Sequence, residues 1–137
     1  MINSEYGEAV GQLLQLDNEM DQFDYLWMLA LQSPGMPDAE KTEEARVAAC
    51  DSRLWCRVEE REGQVSMRVD SDSLFVKGLA LLLKTETERR DRTQLVTKPL
   101  MLSDDLYARG IMDAKRRDGM REMQDRVYCM ALRLAGK

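Results

Sequence analysis

Between residues 54 and 69 the apolar side chains recur at every second position, whereas on both flanks they recur at every third or fourth. A chain with that change of period and its return must place a small sheet between helices. Leu54, Cys56 and Val58 alternate with Trp55, Arg57 and Glu59. After a turn around Glu60 to Gly63, Val65, Met67 and Val69 repeat the pattern, which predicts an antiparallel hairpin. Upstream, Arg46, Val47 and Ala48 are expected to add a third short strand, with Cys50 to Arg53 as the connecting turn.

The flanks read as helix. Leu13, Leu16, Met20, Phe23, Trp27 and Ala30 share one helical stripe, and Asp17 and Asn18 offer caps for a second helix after a bend. Pro34, Gly35 and Pro37 stop that helix, and Asp38 to Ala45 is a polar surface loop. The run Asp70-Ser71-Asp72-Ser73 supplies capping side chains for a helix that begins LFVKGLALLL, apolar almost all round and therefore buried. Gly78 lowers helix propensity by about 1 kcal/mol relative to alanine, so its place there implies close packing against another element. Charges from Thr85 to Arg92 end the helix. Residues 93 to 112 show no clear period, and Pro99 argues against a central strand. Met120, Met123, Val127, Met130 and Leu134 mark a last helix. The expected class is α+β: a two-layer sandwich with a three-stranded antiparallel sheet at about residues 45–70 packed against N- and C-terminal helices.

At 137 residues the chain suits a single domain, 1–137, able to fold without disulfides or a metal. It contains no histidine, which excludes a Ser-His-Asp triad, an internal Cys-His pair and histidine metal sites. With 25 acidic against 20 basic residues the surface repels phosphate, so nucleic acid and anionic membranes are not expected partners. The three cysteines, at 50, 56 and 129, form no CxxC pair and no secreted disulfide framework. The start MINSEYGEAVGQ lacks the features of a signal peptide, and no apolar run reaches the roughly 18 residues of a membrane span. The expected location is cytoplasmic, with the thiols reduced.

Of the three, Cys50 stands out, because Asp51 and Ser52 break the strand pattern beside it. Its residue type fits two readings: a small apolar side chain tucked into a turn, or a thiol presented to another protein. In the second, Arg46, Arg53 and a hydrogen bond from Ser52 would pull its pKa below the free value of about 8.5. Cys56 faces the core with Leu54 and Val58, and Cys129 lies off the apolar stripe of the last helix. Trp55 serves either to cover one face of the sheet or to shield a reactive sulfur. Arg116 sits in the charged run Lys115-Arg116-Arg117, and Asp70 and Asp72 are natural helix caps.

The run Arg46-Val47-Ala48-Ala49-Cys50-Asp51-Ser52-Arg53-Leu54-Trp55 resembles the V-x-G-C-x-S-x-V-W segment of the SufE family. Asp70-Ser71-Asp72-Ser73-Leu74-Phe75-Val76-Lys77-Gly78-Leu79 is similar to that family's DSDA-x-IVKGL, and Lys115-Arg116-Arg117-Asp118-Gly119-Met120 to its S-R-x-x-G-L. The likeness runs from about Leu13 to Leu134. It implies a SufE/NifU-like fold and a sulfur-acceptor protein that takes persulfide sulfur from a cysteine desulfurase of the SufS type. Such proteins stimulate the desulfurase and pass the sulfur to an iron–sulfur scaffold of the SufBCD type. Cys50 matches the sulfur-carrying cysteine; Ser52, Trp55, Asp72 and Arg116 match partner-facing or loop-supporting positions. No cofactor is expected on this chain, pyridoxal phosphate belonging to the partner, and no independent turnover is expected of a sulfurtransferase-like persulfide carrier. Ala49 replaces the family's glycine, and Asp113-Ala114-Lys115-Arg116 replaces its S-P-S-R. Alanine does not adopt positive φ cheaply, so a loop needing that conformation would be strained here. Two other functions fit the same residues: a scaffold that holds an iron–sulfur cluster itself, which requires thiolates converging on one point, or a desulfurase activator that carries no sulfur.

Overall fold

The computed structural model describes residues 6–136. Its elements are α1 (Glu8–Gln15), α2 (Glu19–Gln32), β1 (Leu54–Arg61), β2 (Gln64–Ser71), α3 (Leu74–Glu88), α4 (Arg92–Thr97), α5 (Leu102–Ala108) and α6 (Ala114–Ala135). The bend between α1 and α2 falls where expected: the Asn18 side chain caps α2 by accepting the Asp21 N–H at 2.9 Å. The N-terminal stripe divides, however. Leu13 and Ala30 are buried, while Met20, Phe23 and Trp27 are exposed. Helix α2 instead turns Leu26 and Ala30 toward α3.

β1 and β2 pair antiparallel from Leu54 opposite Ser71 to Arg61 opposite Gln64. Glu62 and Gly63 close the hairpin with φ of 54° and 80°, the left-handed pair of a two-residue turn whose twist matches the strands. Val65, Met67 and Val69 point into the core, where they meet α3 and, more sparsely, α6. At Gly78 the α3 backbone lies against α2 so closely that a Cβ would stand 2.4 Å from the Leu26 carbonyl oxygen. This is the close approach that a glycine inside an apolar helix implied.

Two expectations need correction, and one unread stretch is resolved. The sheet has two strands, not three: Arg46 makes one isolated bridge with Trp55, flanked by hydrogen bonds from Val47 N–H to Leu54 O and from Cys56 N–H to Ala45 O, both 2.8 Å. Secondly, neither Asp70 nor Asp72 caps α3. Ser73 does, accepting the Val76 N–H at 3.2 Å. Asp70 is buried and accepts amides from Met36 and Ser71, with Lys41 and Lys77 beside it at 3.4 and 3.8 Å. Finally, the stretch without a readable period holds two short helices. The first is opened by a capping box in which Asp91 accepts the Gln94 N–H and Gln94 accepts the Asp91 N–H. Among the described residues, no helix is long and apolar enough to cross a membrane.

Candidate functional site

Cys50 lies between the Arg46–Trp55 bridge and the start of β1, on a tight bend in which its N–H reaches Val47 O at 3.4 Å. Ala49 does not need the freedom of glycine, since Glu62 is the only non-glycine with positive φ among the described residues. The far end of the bend is tied to the entry of α3. Both the Ser71 hydroxyl (2.6 Å) and the Asp72 N–H (3.1 Å) donate to Arg53 O, and the Asp72 carboxylate stands 3.6 Å from the Arg53 guanidinium. The near end is held by α6. The Ala48 and Ala49 amides donate to the Glu122 carboxylate at 3.2 and 2.9 Å. Arg126 donates to the carbonyls of Ala45, Cys56 and Arg46 at 3.0, 2.9 and 2.6 Å, and to Glu122 at 2.7 Å.

The bend presses the thiol against α6. A Cβ on Gly119 would stand 3.0 Å from Cys50 Cβ and 3.5 Å from its Sγ, so only a glycine admits the loop this closely. Cys50 is consequently 8% exposed. A small cavity of about 80 Å³ adjoins it, lined by Asp51, Ser52, Asp113, Lys115 and Arg116. A water molecule occupies roughly 30 Å³ in the liquid, so the space accommodates one added sulfur atom.

Read as a presented thiol, Cys50 is expected to have its pKa lowered by Arg46, Arg53 and Ser52; the structure reverses this. Burial pushes the Cys50 thiol up and prevails, although the Ser52 backbone amide, Arg116 and Arg46 pull the other way and Asp51 adds to the rise. The Ser52 contribution comes from its amide, and Arg53 is turned to Asp72. The resting thiol is therefore protonated and covered. Cys56, deep in β1, is pushed up to about 12 by burial.

Of the other residues singled out from sequence, Ser52 and Arg116 gather at the thiol. Arg116 pairs with Asp113 at 3.0 Å, lies 5.0 Å over the Phe75 ring, and keeps a buried Nε that makes no hydrogen bond among the described residues. Asp72 braces the loop from outside. Trp55 is elsewhere: it packs with Met36 and Ala45 in a cluster separate from that of Cys50, with the Lys41 ammonium 5.0 Å from its ring centroid. It supports the start of the loop and does not shield the sulfur. Sequence reading gave Gly119 no role and missed Glu122 and Arg126. Their spacing of three and four puts them on one stripe of α6, and the Glu–Arg pair at i, i+4 was the available signal.

A protein-family model described as "SufE: Fe-S metabolism associated domain" matches residues 7–131. The chain belongs to the SufE family. Within it, the chain is 30% identical over 109 residues to the sulfur acceptor protein CsdE of Escherichia coli, covering 78% of this chain and 74% of CsdE. The same fold is seen in the solution structure of a hypothetical protein from Thermus thermophilus. That structure superposes with a TM-score of 0.74 over the whole of both chains at 17% identity.

Proposed function

We propose that this protein is a sulfur acceptor in iron–sulfur metabolism, with Cys50 as the thiol that receives and carries the sulfur. The observation that carries the reading is the placement of Cys50: on a short surface bend, beside a small cavity and the Arg116 guanidinium, in a SufE-family chain similar to a named sulfur acceptor. The Cys50 thiolate attacks the outer sulfur of a persulfide on a pyridoxal-phosphate cysteine desulfurase. A new S–S bond forms at Cys50, the desulfurase S–S bond breaks, and the desulfurase cysteine leaves as a thiolate. The proton given up by Cys50 passes to that thiolate or to solvent, and the two proteins together gain or lose no electrons. A second transfer of the same kind hands the sulfur to a scaffold. Arg116 lowers the energy of the attacking thiolate and of the persulfide anion that follows.

A thiol that is buried and protonated at rest cannot do this without a change of conformation. Docking of the desulfurase therefore selects an open loop in which Cys50 is exposed and more acidic. Closure afterwards returns the carried sulfur to the cavity, away from reductants and oxidants.

The test is intact-protein mass spectrometry after incubation with a cysteine desulfurase and cysteine, without reductant. The expected result is a gain of one sulfur atom, absent in Cys50→Ser. Equal labelling of that variant would overturn the assignment of Cys50, and stimulation of the desulfurase by Cys50→Ser as strong as by the wild type would favour an activator that carries no sulfur.

A further inference from the structure

We propose that Glu122 and Arg126 form a latch: positioning residues on α6 that hold the Cys50 loop closed and that must release before the thiol can reach another protein. The Glu122 carboxylate accepts the amides of Ala48 and Ala49, the two residues immediately before Cys50. Charge-assisted bonds of this kind are stronger than neutral ones. Arg126 orients that carboxylate at 2.7 Å and donates from its terminal nitrogens to Ala45 and Arg46, at the base of the loop, and to Cys56 in β1. The loop is thus fastened to α6 through the Glu122 carboxylate and the Arg126 guanidinium, and the guanidinium also reaches the strand.

Two features suit this pair to release. The Glu122 and Arg126 side chains keep 28% and 27% of their surface in solvent and line an open groove of about 720 Å³. Ala48 and Ala49 are themselves exposed. Water can therefore replace the two amide bonds to Glu122 as the loop lifts, so neither the amides nor the carboxylate need be left without a partner. The second feature is that the two backbone amides Glu122 accepts, those of Ala48 and Ala49, both belong to the loop, so its loss frees the loop while leaving the hairpin register and the α3 packing in place.

The inference rests on reading Cys50 as the transfer thiol, but its test needs no desulfurase, so either can fail without the other. The full-length protein is alkylated with iodoacetamide and the rate followed at each cysteine by peptide mass spectrometry. The three thiols report different events: Cys50 opening of the loop, buried Cys56 global unfolding, and exposed Cys129 the intrinsic rate. For Glu122→Ala, Cys50 is expected to react at least tenfold faster than in the wild type, with Cys56 still protected and Cys129 unchanged. Glu122→Gln, which retains one accepting oxygen, should give a smaller rise than Glu122→Ala. A rise at Cys50 of less than tenfold overturns the latch. So does a parallel rise at Cys56, which would make Glu122 a general stabiliser of the fold, or a rise in Glu122→Gln as large as in Glu122→Ala.

Discussion

Gly78→Ala pits a local preference against a tertiary contact, and the distances decide which wins. In an exposed helix the change stabilises by about 1 kcal/mol, because alanine loses less conformational freedom. At Gly78 the added methyl would stand 2.4 Å from Leu26 O, short of the 3.4 Å where ordinary contact begins by 1.0 Å, and 2.9 Å from both the carbonyl carbon and Cβ of the same residue. The first two neighbours are backbone of α2, which cannot rotate away, so α2 and α3 must separate. Leu26 and Ala30 on one helix and Leu79, Ala80, Leu82 and Leu83 on the other are all buried in the core that this would loosen. Overpacking typically costs about 1–3 kcal/mol, and contact with backbone puts this case at the upper end. Set against the propensity gain, the net loss is about 2 kcal/mol, or a fall in Tm of roughly 6–10 °C for a chain of this size. Urea unfolding followed by circular dichroism measures it, with a lower midpoint and an unchanged slope expected. A midpoint equal to or above that of the wild type would refute the argument and show that the helices part at negligible cost.

Two further outcomes follow from the same reasoning. Gly119→Ala adds a methyl 3.0 Å from Cys50 Cβ within a helix that gains about 1 kcal/mol from the change, so overall stability should hold while Cys50 is alkylated faster than in the wild type; an unchanged rate would mean that the loop does not rest on Gly119. For Asp70, burial raises the carboxyl, but the Met36 and Ser71 amides with Lys77 and Lys41 outweigh it and leave the pKa lowered. Below the ordinary aspartate value the unfolded chain takes up this proton first, so the stability Asp70 contributes is present above that value and lost as pH falls through the lower folded one. Asp70→Asn should cost about 3 kcal/mol at neutral pH, because Lys77 is left buried without its carboxylate, and should flatten the acid limb of the stability curve; an acid limb as steep as that of the wild type would show that other carboxylates govern it.

Much of the fold is legible in local pattern. The period of two at Leu54–Val58 and Val65–Val69 became the hairpin, Asn18 became a cap, and Gly78 became a close approach. Each depends on residues within a few positions of one another, or on a residue type with one physical use. The helices α4 and α5 escaped notice because six and seven residues are too few to display a period, although the Asp91–Gln94 capping box marked the start of the first. The stripe Met20-Phe23-Trp27 misled because periodicity shows that side chains share a face but not whether anything covers that face.

At the candidate site, residue types and order sufficed to single out Cys50 on a bend between strand-like segments and to place it in its family. What they left open was settled by parts of the chain some seventy positions away. Glu122 and Arg126 bind amides and carbonyls of the segment before Cys50, Gly119 receives the thiol, and burial against α6 sets its pKa above the ordinary value despite two nearby arginines. Burial and hydrogen-bond partnership are properties of whatever surrounds a group in space. A sequence window carries the group and its neighbours along the chain, and only the folded chain supplies the surroundings.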